Sequence, residues 1–190
     1  MYRQHQVTEK RQPHRKKWRR PHQHIILIGM PGSGKSTIGK RLATAMHWDF
    51  VDTDDVLQAQ NAGKTGELLD KLGKTAFMAI ETKAVISVRP QKPTVIATGG
   101  SVVYSHRAML HLRRLGYVVY LDPPLYRLKR RLGDLKARGV VLQPGQTLDD
   151  LWLERRKLYW RYADIVFETK RLSAKQIIDR LICLYRFMTD

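Results

Sequence analysis

The chain has 190 residues, 43% of them hydrophobic, enough to bury one sizeable core and too few for two ordinary domains. A single cysteine, Cys183, excludes an internal disulfide; set among Leu181, Ile182 and Leu184, it reads as a buried, inert thiol in a reducing compartment. The longest apolar runs, such as Tyr117 to Leu121, fall far short of a membrane span, and the N-terminus has no signal-peptide core, so the expectation is a cytoplasmic protein with no membrane partner.

The formal charge is +18, an imbalance that points to anionic partners. Residues 1–24 hold eight Lys/Arg against Glu9 and so supply +7 of it. Residues 1–23 have few apolar side chains and no periodicity; they read as a basic, disordered, solvated tail preceding a domain over 24–190. Nucleic-acid binding through the tail, with Trp18 stacking on a base, is the alternative.

From His24 onward, short apolar runs alternate with helical spacing, the pattern of a parallel sheet covered by helices on both faces. Strands are predicted near His24–Gly29, Asp49–Asp52, Pro93–Thr98, Tyr117–Asp122 and Ile165–Glu168. Helices are predicted near Lys35–His47, Asp54–Asn61, Gly66–Lys71, Thr75–Val88, His106–Leu115, Leu125–Leu135, Leu148–Ala163 and Ser173–Phe187.

Between the first strand and first helix, Gly29 to Ser36 read G-M-P-G-S-G-K-S, matching G-x-x-x-x-G-K-[ST] in the strand-loop-helix setting that the motif requires. Glycines let successive N–H groups converge on phosphate oxygens, Lys35 adds a mobile charge, and the helix N-terminus adds its dipole. Ser36 offers a hydroxyl to Mg²⁺. These residues imply nucleotide binding.

Asp52-Thr53-Asp54 closes the second strand. Extended, its two carboxylates point to one side. Asp52 is a candidate for Mg²⁺ through water and Asp54 for accepting a proton from a substrate hydroxyl; a helix N-cap is the competing reading, and the roles do not exclude each other. After the third strand comes Thr98-Gly99-Gly100-Ser101, where paired glycines either admit a ligand close to the backbone or make a plain turn. No Asn-Lys-x-Asp segment occurs, which disfavours a GTPase. Gly139, Pro144 and Gly145 mark Arg138 to Gln146 as a mobile loop.

In the helix from Leu148, the stripe Leu148, Leu151, Trp152, Leu158, Tyr159, Tyr162 carries Arg155 inward, while Arg156 and Lys157 read as solvated charges. An inward guanidinium needs a partner. That partner is either Glu81, itself on the apolar face of Phe77, Ile80, Ala84 and Val88, or a substrate anion.

With these residues assembled, the chain from about residue 24 to its end resembles the shikimate kinase family of P-loop small-molecule kinases. The resemblance rests on Gly29–Ser36, the Asp52-x-Asp54 pair and the glycines Gly99-Gly100. It also rests on Arg131 and Arg138 seven apart, and on Arg155 before Leu158-Tyr159. It implies a three-layer α/β P-loop kinase fold, with a central parallel sheet of about five strands, helices on both faces and a mobile lid.

The implied reaction is transfer of the γ-phosphoryl of ATP, with Mg²⁺, to a hydroxyl of a small anionic acid, foremost shikimate to shikimate 3-phosphate, by a monomer. Lys35, Asp54 and Arg138 would be catalytic. Gly32, Ser33, Gly34, Lys35, Ser36, Thr37, Arg131 and Arg138 would bind ATP, and Ser36 and Asp52 the metal. Asp54, Glu81, Gly99, Gly100 and Arg155 would hold the acceptor.

Two positions depart from the family pattern. Met78 replaces a second carboxylate-binding arginine, with Lys74 one turn earlier on the same face, and Ser101 replaces a third glycine. Other readings are a kinase of this family acting on another polyol, sugar acid or nucleoside, and a nucleotide-dependent nucleic-acid-binding protein.

Overall fold

The computed structural model describes residues 24–132, 140, 142 and 145–189; the basic tail, Trp18 included, lies outside the described residues. Five strands, β1 (His24–Ile28), β2 (Asp49–Asp52), β3 (Thr94–Ala97), β4 (Gly116–Asp122) and β5 (Ile165–Glu168), form one sheet in the order β2-β3-β1-β4-β5. Every pairing is parallel, as expected from the sequence. Strands covered on both faces have no solvent side to alternate toward, so β1 is buried at every position.

Strand alternation divides the core. Ile26 and Ile28 of β1, Val118 and Tyr120 of β4 and Val166 of β5 face a layer built from α3 (Thr65–Ser87), α4 (His106–Leu115) and α6 (Leu148–Tyr162). Ile25, Leu27, Val119, Leu121, Ile165 and Phe167 face α1 (Lys35–Met46) and α7 (Ala174–Thr189). A smaller cluster, Leu57, Leu68, Leu69, Phe77 and Ala84, binds α2 (Thr53–Asn61) to α3.

The two helices predicted around residues 66–88 are joined as α3, which kinks at Gly73 (φ 73°, ψ 166°). A one-turn 3-10 helix at Val102–Tyr104 was not predicted. Helix α5 (Leu125–Leu132) runs to the edge of the described residues. Of the segment read as a lid, Val140, Leu142, Gly145 and Gln146 are described, and Val140 is buried in the core. Arg138 lies outside the described residues.

Two expectations fail. Cys183 is exposed: neighbours one residue apart on a helix point about 100° apart, so Leu181 is buried and Ile182 and Leu184 pack partly against the core while Cys183 faces away. Arg156 is no free solvated charge: it donates to Oδ2 of buried Asp122 at 3.2 and 3.4 Å and lies over the rings of Trp152 and Trp160. Among the described residues no helix is long and apolar enough to cross a membrane.

Candidate active site

Strand β1 is central, and the chain departs to opposite sides of it toward β3 and β4, so its carboxyl end opens on a topological switch point. There the chain turns through Gly29 to Gly34, closed by Ser33 N–H donating to the Met30 carbonyl at 3.0 Å. Gly34 caps α1 with φ 97° and ψ 14°, left-handed backbone that costs glycine nothing. Lys35 folds back over the loop, its Nζ donating to the carbonyls of Gly29 and Met30, each at 2.9 Å. Burial of its ammonium pulls the pKa down to about 8, against the attraction of Asp54 and Asp52. Arg131, from the end of α5, donates to the Gly32 carbonyl at 3.1 Å and so lies across the same loop.

At the end of β2, Asp52 caps α2: its Oδ1 accepts the Asp54 N–H at 3.1 Å. Among the described residues no hydrogen bond engages its second oxygen, and the cap sets Asp54 in the first helical turn. Asp54 and Glu81 converge on Gly99, where a Cβ would stand 2.7 Å from Asp54 Oδ1 and 2.6 Å from Glu81 Oε1. Only glycine permits that approach. The Gly99 N–H is already taken by the Thr53 hydroxyl at 3.2 Å, so this residue provides space and not a donor.

Burial raises both acids. Asp54 is pushed up to about 6, with Asp52 adding to the shift and Lys35 opposing it. Glu81 is pushed up to about 7; the Ser101 hydroxyl, donating at 2.6 Å, opposes and Asp54 adds.

Arg155 projects from α6 into the same cavity and is 7% exposed. Its Nε donates to the Tyr104 hydroxyl at 3.3 Å, and that hydroxyl donates to Glu154 at 2.8 Å. The pairing with Glu81 that sequence left open is not formed: among the described residues no carboxylate lies within ion-pair distance of Arg155, and Glu81 is engaged by Ser101. One helical turn on, Tyr159 stacks on Tyr120 with centroids 4.9 Å apart and donates to the Gly100 carbonyl at 2.6 Å, pinning the glycine pair.

The result is one cavity of about 720 Å³ running from the phosphate loop to Arg155. Gly32 to Thr37, Asp54, Glu81, Gly99, Gly100, Arg131 and Arg155 all line it; Asp52 stands behind Asp54 and does not. Sequence reasoning missed Arg127, Phe77, Thr65 and Ser101's neighbour Tyr104. Phe77 looked like core, and Arg127 was one cation among four in α5.

A phosphate loop at a switch point facing a buried cation across two carboxylates is an arrangement for joining a polyphosphate to an acidic acceptor. The family model for shikimate kinase matches residues 31–185. The chain belongs to the shikimate kinase family. Members are phosphotransferases acting on a hydroxyl group.

A shikimate kinase of Caldanaerobacter subterraneus subsp. tengcongensis is 31% identical over 164 residues, 85% of this chain and 95% of that protein. One of Aeromonas salmonicida is 33% identical over 164 residues, with the same coverage of 85% and 95%. The shikimate kinase of Acinetobacter baumannii, solved in complex with shikimate, has a TM-score of 0.79 at 29% identity, covering 87% of this chain and 93% of its own. Against the shikimate kinase pattern, Met78 is half-buried and does not line the cavity, whereas Ser101 does and occupies Glu81.

Proposed function

We propose that this chain transfers the γ-phosphoryl group of ATP to a ring hydroxyl of shikimate, giving shikimate 3-phosphate and ADP, as a monomer in the cytoplasm. The observation that carries the reading is Arg155: a buried guanidinium with no carboxylate partner among the described residues, at the far end of a cavity whose near end is a phosphate loop. Such a charge requires an anion, and the acceptor's carboxylate is that anion.

Gly32, Gly34, Ser36 and Thr37 would offer backbone N–H groups and hydroxyls to the triphosphate, Ser33 its hydroxyl while its N–H closes the loop on Met30, and Arg131 flanks it. Lys35 exchanges its loop carbonyls for phosphate oxygens and neutralises charge developing on the transferred group. Asp54 orients the acceptor hydroxyl and takes its proton as the oxygen attacks phosphorus, a task suited to a carboxylate raised to about 6. Glu81 accepts from a second hydroxyl, and Arg155 with the Gly100 N–H fixes the ring. Arg138, by family resemblance, adds charge from the loop and helps exclude water.

The Ser36 hydroxyl on the cavity wall, and the Asp52 carboxylate through water, would offer Mg²⁺ the hard oxygen donors it takes, and they are too few to hold it without phosphate, which fits an ion that arrives with the nucleotide. When bound, Mg²⁺ screens the phosphate charge against the incoming hydroxyl.

A second reading, a kinase of the same family for another sugar acid or polyol, is favoured by the Ser101 hydroxyl on the cavity wall. A coupled assay of ADP release with shikimate, sugars, sugar acids and nucleosides separates the two. Shikimate-dependent turnover is expected; none at millimolar shikimate would overturn the first reading.

A further inference from the structure

Two cations from different helices share one aromatic ring. The Arg155 Cζ of α6 stands 5.2 Å from the Tyr104 centroid, and the Lys74 Nζ of α3 stands 5.5 Å from it. Neither is ion-paired with a carboxylate among the described residues. The ring attracts both charges, and among the described residues no carboxylate lies within ion-pair distance of either, so an anion that reaches both is held by two cations.

The placement of Lys74 follows from local backbone. At Gly73 the left-handed φ of 73° breaks α3, so Lys74 opens its second part. A Cβ at Gly73 would meet nothing within 4 Å, so the break reflects the glycine's backbone and not crowding. Phe77 and Glu81, three and seven residues beyond Lys74, line the cavity, which puts the lysine, exposed and not itself a lining residue, on the same side of the helix. Tyr104 follows the lining residue Ser101 by one 3-10 turn, with its hydroxyl tied to Glu154. Arg155 itself lines the cavity; Tyr104 and Lys74 do not, but the shared ring and the Arg155–Tyr104 hydrogen bond bring the lysine near the arginine.

We infer that Lys74 is a specificity-determining residue that grips the acceptor's carboxylate opposite Arg155, one helical turn before Met78. The inference rests on the proposed reading of the chain as a kinase of an acidic acceptor. A lysine suits this position because its long stem lets an exposed ammonium swing onto the ligand.

The test uses the full chain and its Lys74→Met and Lys74→Arg variants, with shikimate binding measured by titration calorimetry and KM by ADP release. Lys74→Met is expected to weaken shikimate binding and raise its KM about 10-fold, leaving KM for ATP and the unfolding temperature unchanged. Lys74→Arg should restore most of the loss. The methyl ester of shikimate, which lacks the charge, should bind wild type and Lys74→Met alike.

If wild type turns over shikimate and Lys74→Met binds it as tightly, Lys74 has no such role and the proposed function stands. An equal loss for acid and ester would also overturn the role, since Lys74 would then act without the carboxylate. A wild type that neither binds nor phosphorylates shikimate overturns both.

Discussion

The Ser101 hydroxyl donates a 2.6 Å hydrogen bond to Oε1 of Glu81, a buried carboxylate 20 residues earlier in the chain. The bond holds the Glu81 pKa lower than burial alone would, yet it still stands at about 7 against an ordinary 4.5. The folded state therefore holds this proton more tightly than the unfolded chain. The carboxyl costs nothing below about 4.5 and destabilises increasingly as pH rises through 7.

Glu81→Gln keeps an acceptor for Ser101 and removes the titration. The variant is expected to be more stable than wild type at pH 8, by up to about 3 kcal/mol, with the difference closing by pH 4. Thermal unfolding at the two pH values checks this. A constant difference would mean that Glu81 titrates normally in the fold.

Arg155→Leu should raise KM for shikimate by about 10- to 150-fold, the worth of one charge-assisted hydrogen bond, while KM for ATP stays within about twofold. The side chain also supports Tyr104, so local disorder is the rival effect. Equal increases in both constants would make Arg155 structural.

What sequence made legible follows from the range of the interactions. Buried parallel strands such as Ile25–Ile28 read as unbroken apolar runs, and the phosphate loop is set by eight adjacent residues, so the sheet and its ligand end were both visible. The inward turn of Arg155 was visible from the helical stripe. Its partner was not, because Ser101 and Glu81 meet across 20 positions, and a hydroxyl in place of glycine gives no hint of which acid it claims. Tyr104 was invisible for the same reason: its role depends on Lys74 and Arg155, which approach from two other helices. Arg156 was misread because periodicity reports the direction of a side chain, and not whether Trp152 and Trp160 flank it one turn either side.

Two titrations should bound the activity of the free enzyme. Asp54 must be ionised to take a proton, so kcat/KM for shikimate should climb as pH passes about 6. Lys35 must be charged to meet phosphate, so the same constant should fall as pH passes about 8. A pH profile at fixed ionic strength reads both limbs. A profile flat from pH 5 to 7 would remove Asp54 as the base.

Arg131 differs from Arg155 in being exposed, and it lies across the phosphate loop at the opposite end of the cavity. Arg131→Ala should raise KM for ATP about 5- to 10-fold and leave KM for shikimate unchanged. An exposed guanidinium is screened by salt, so raising ionic strength should weaken ATP use by wild type more than by the variant. Initial rates at low and high salt, with each substrate varied in turn, measure both effects. If Arg131→Ala and Arg155→Leu instead raised the same constant, donor and acceptor would not occupy separate ends of the cavity, and the transfer geometry proposed for Asp54 between them would fail.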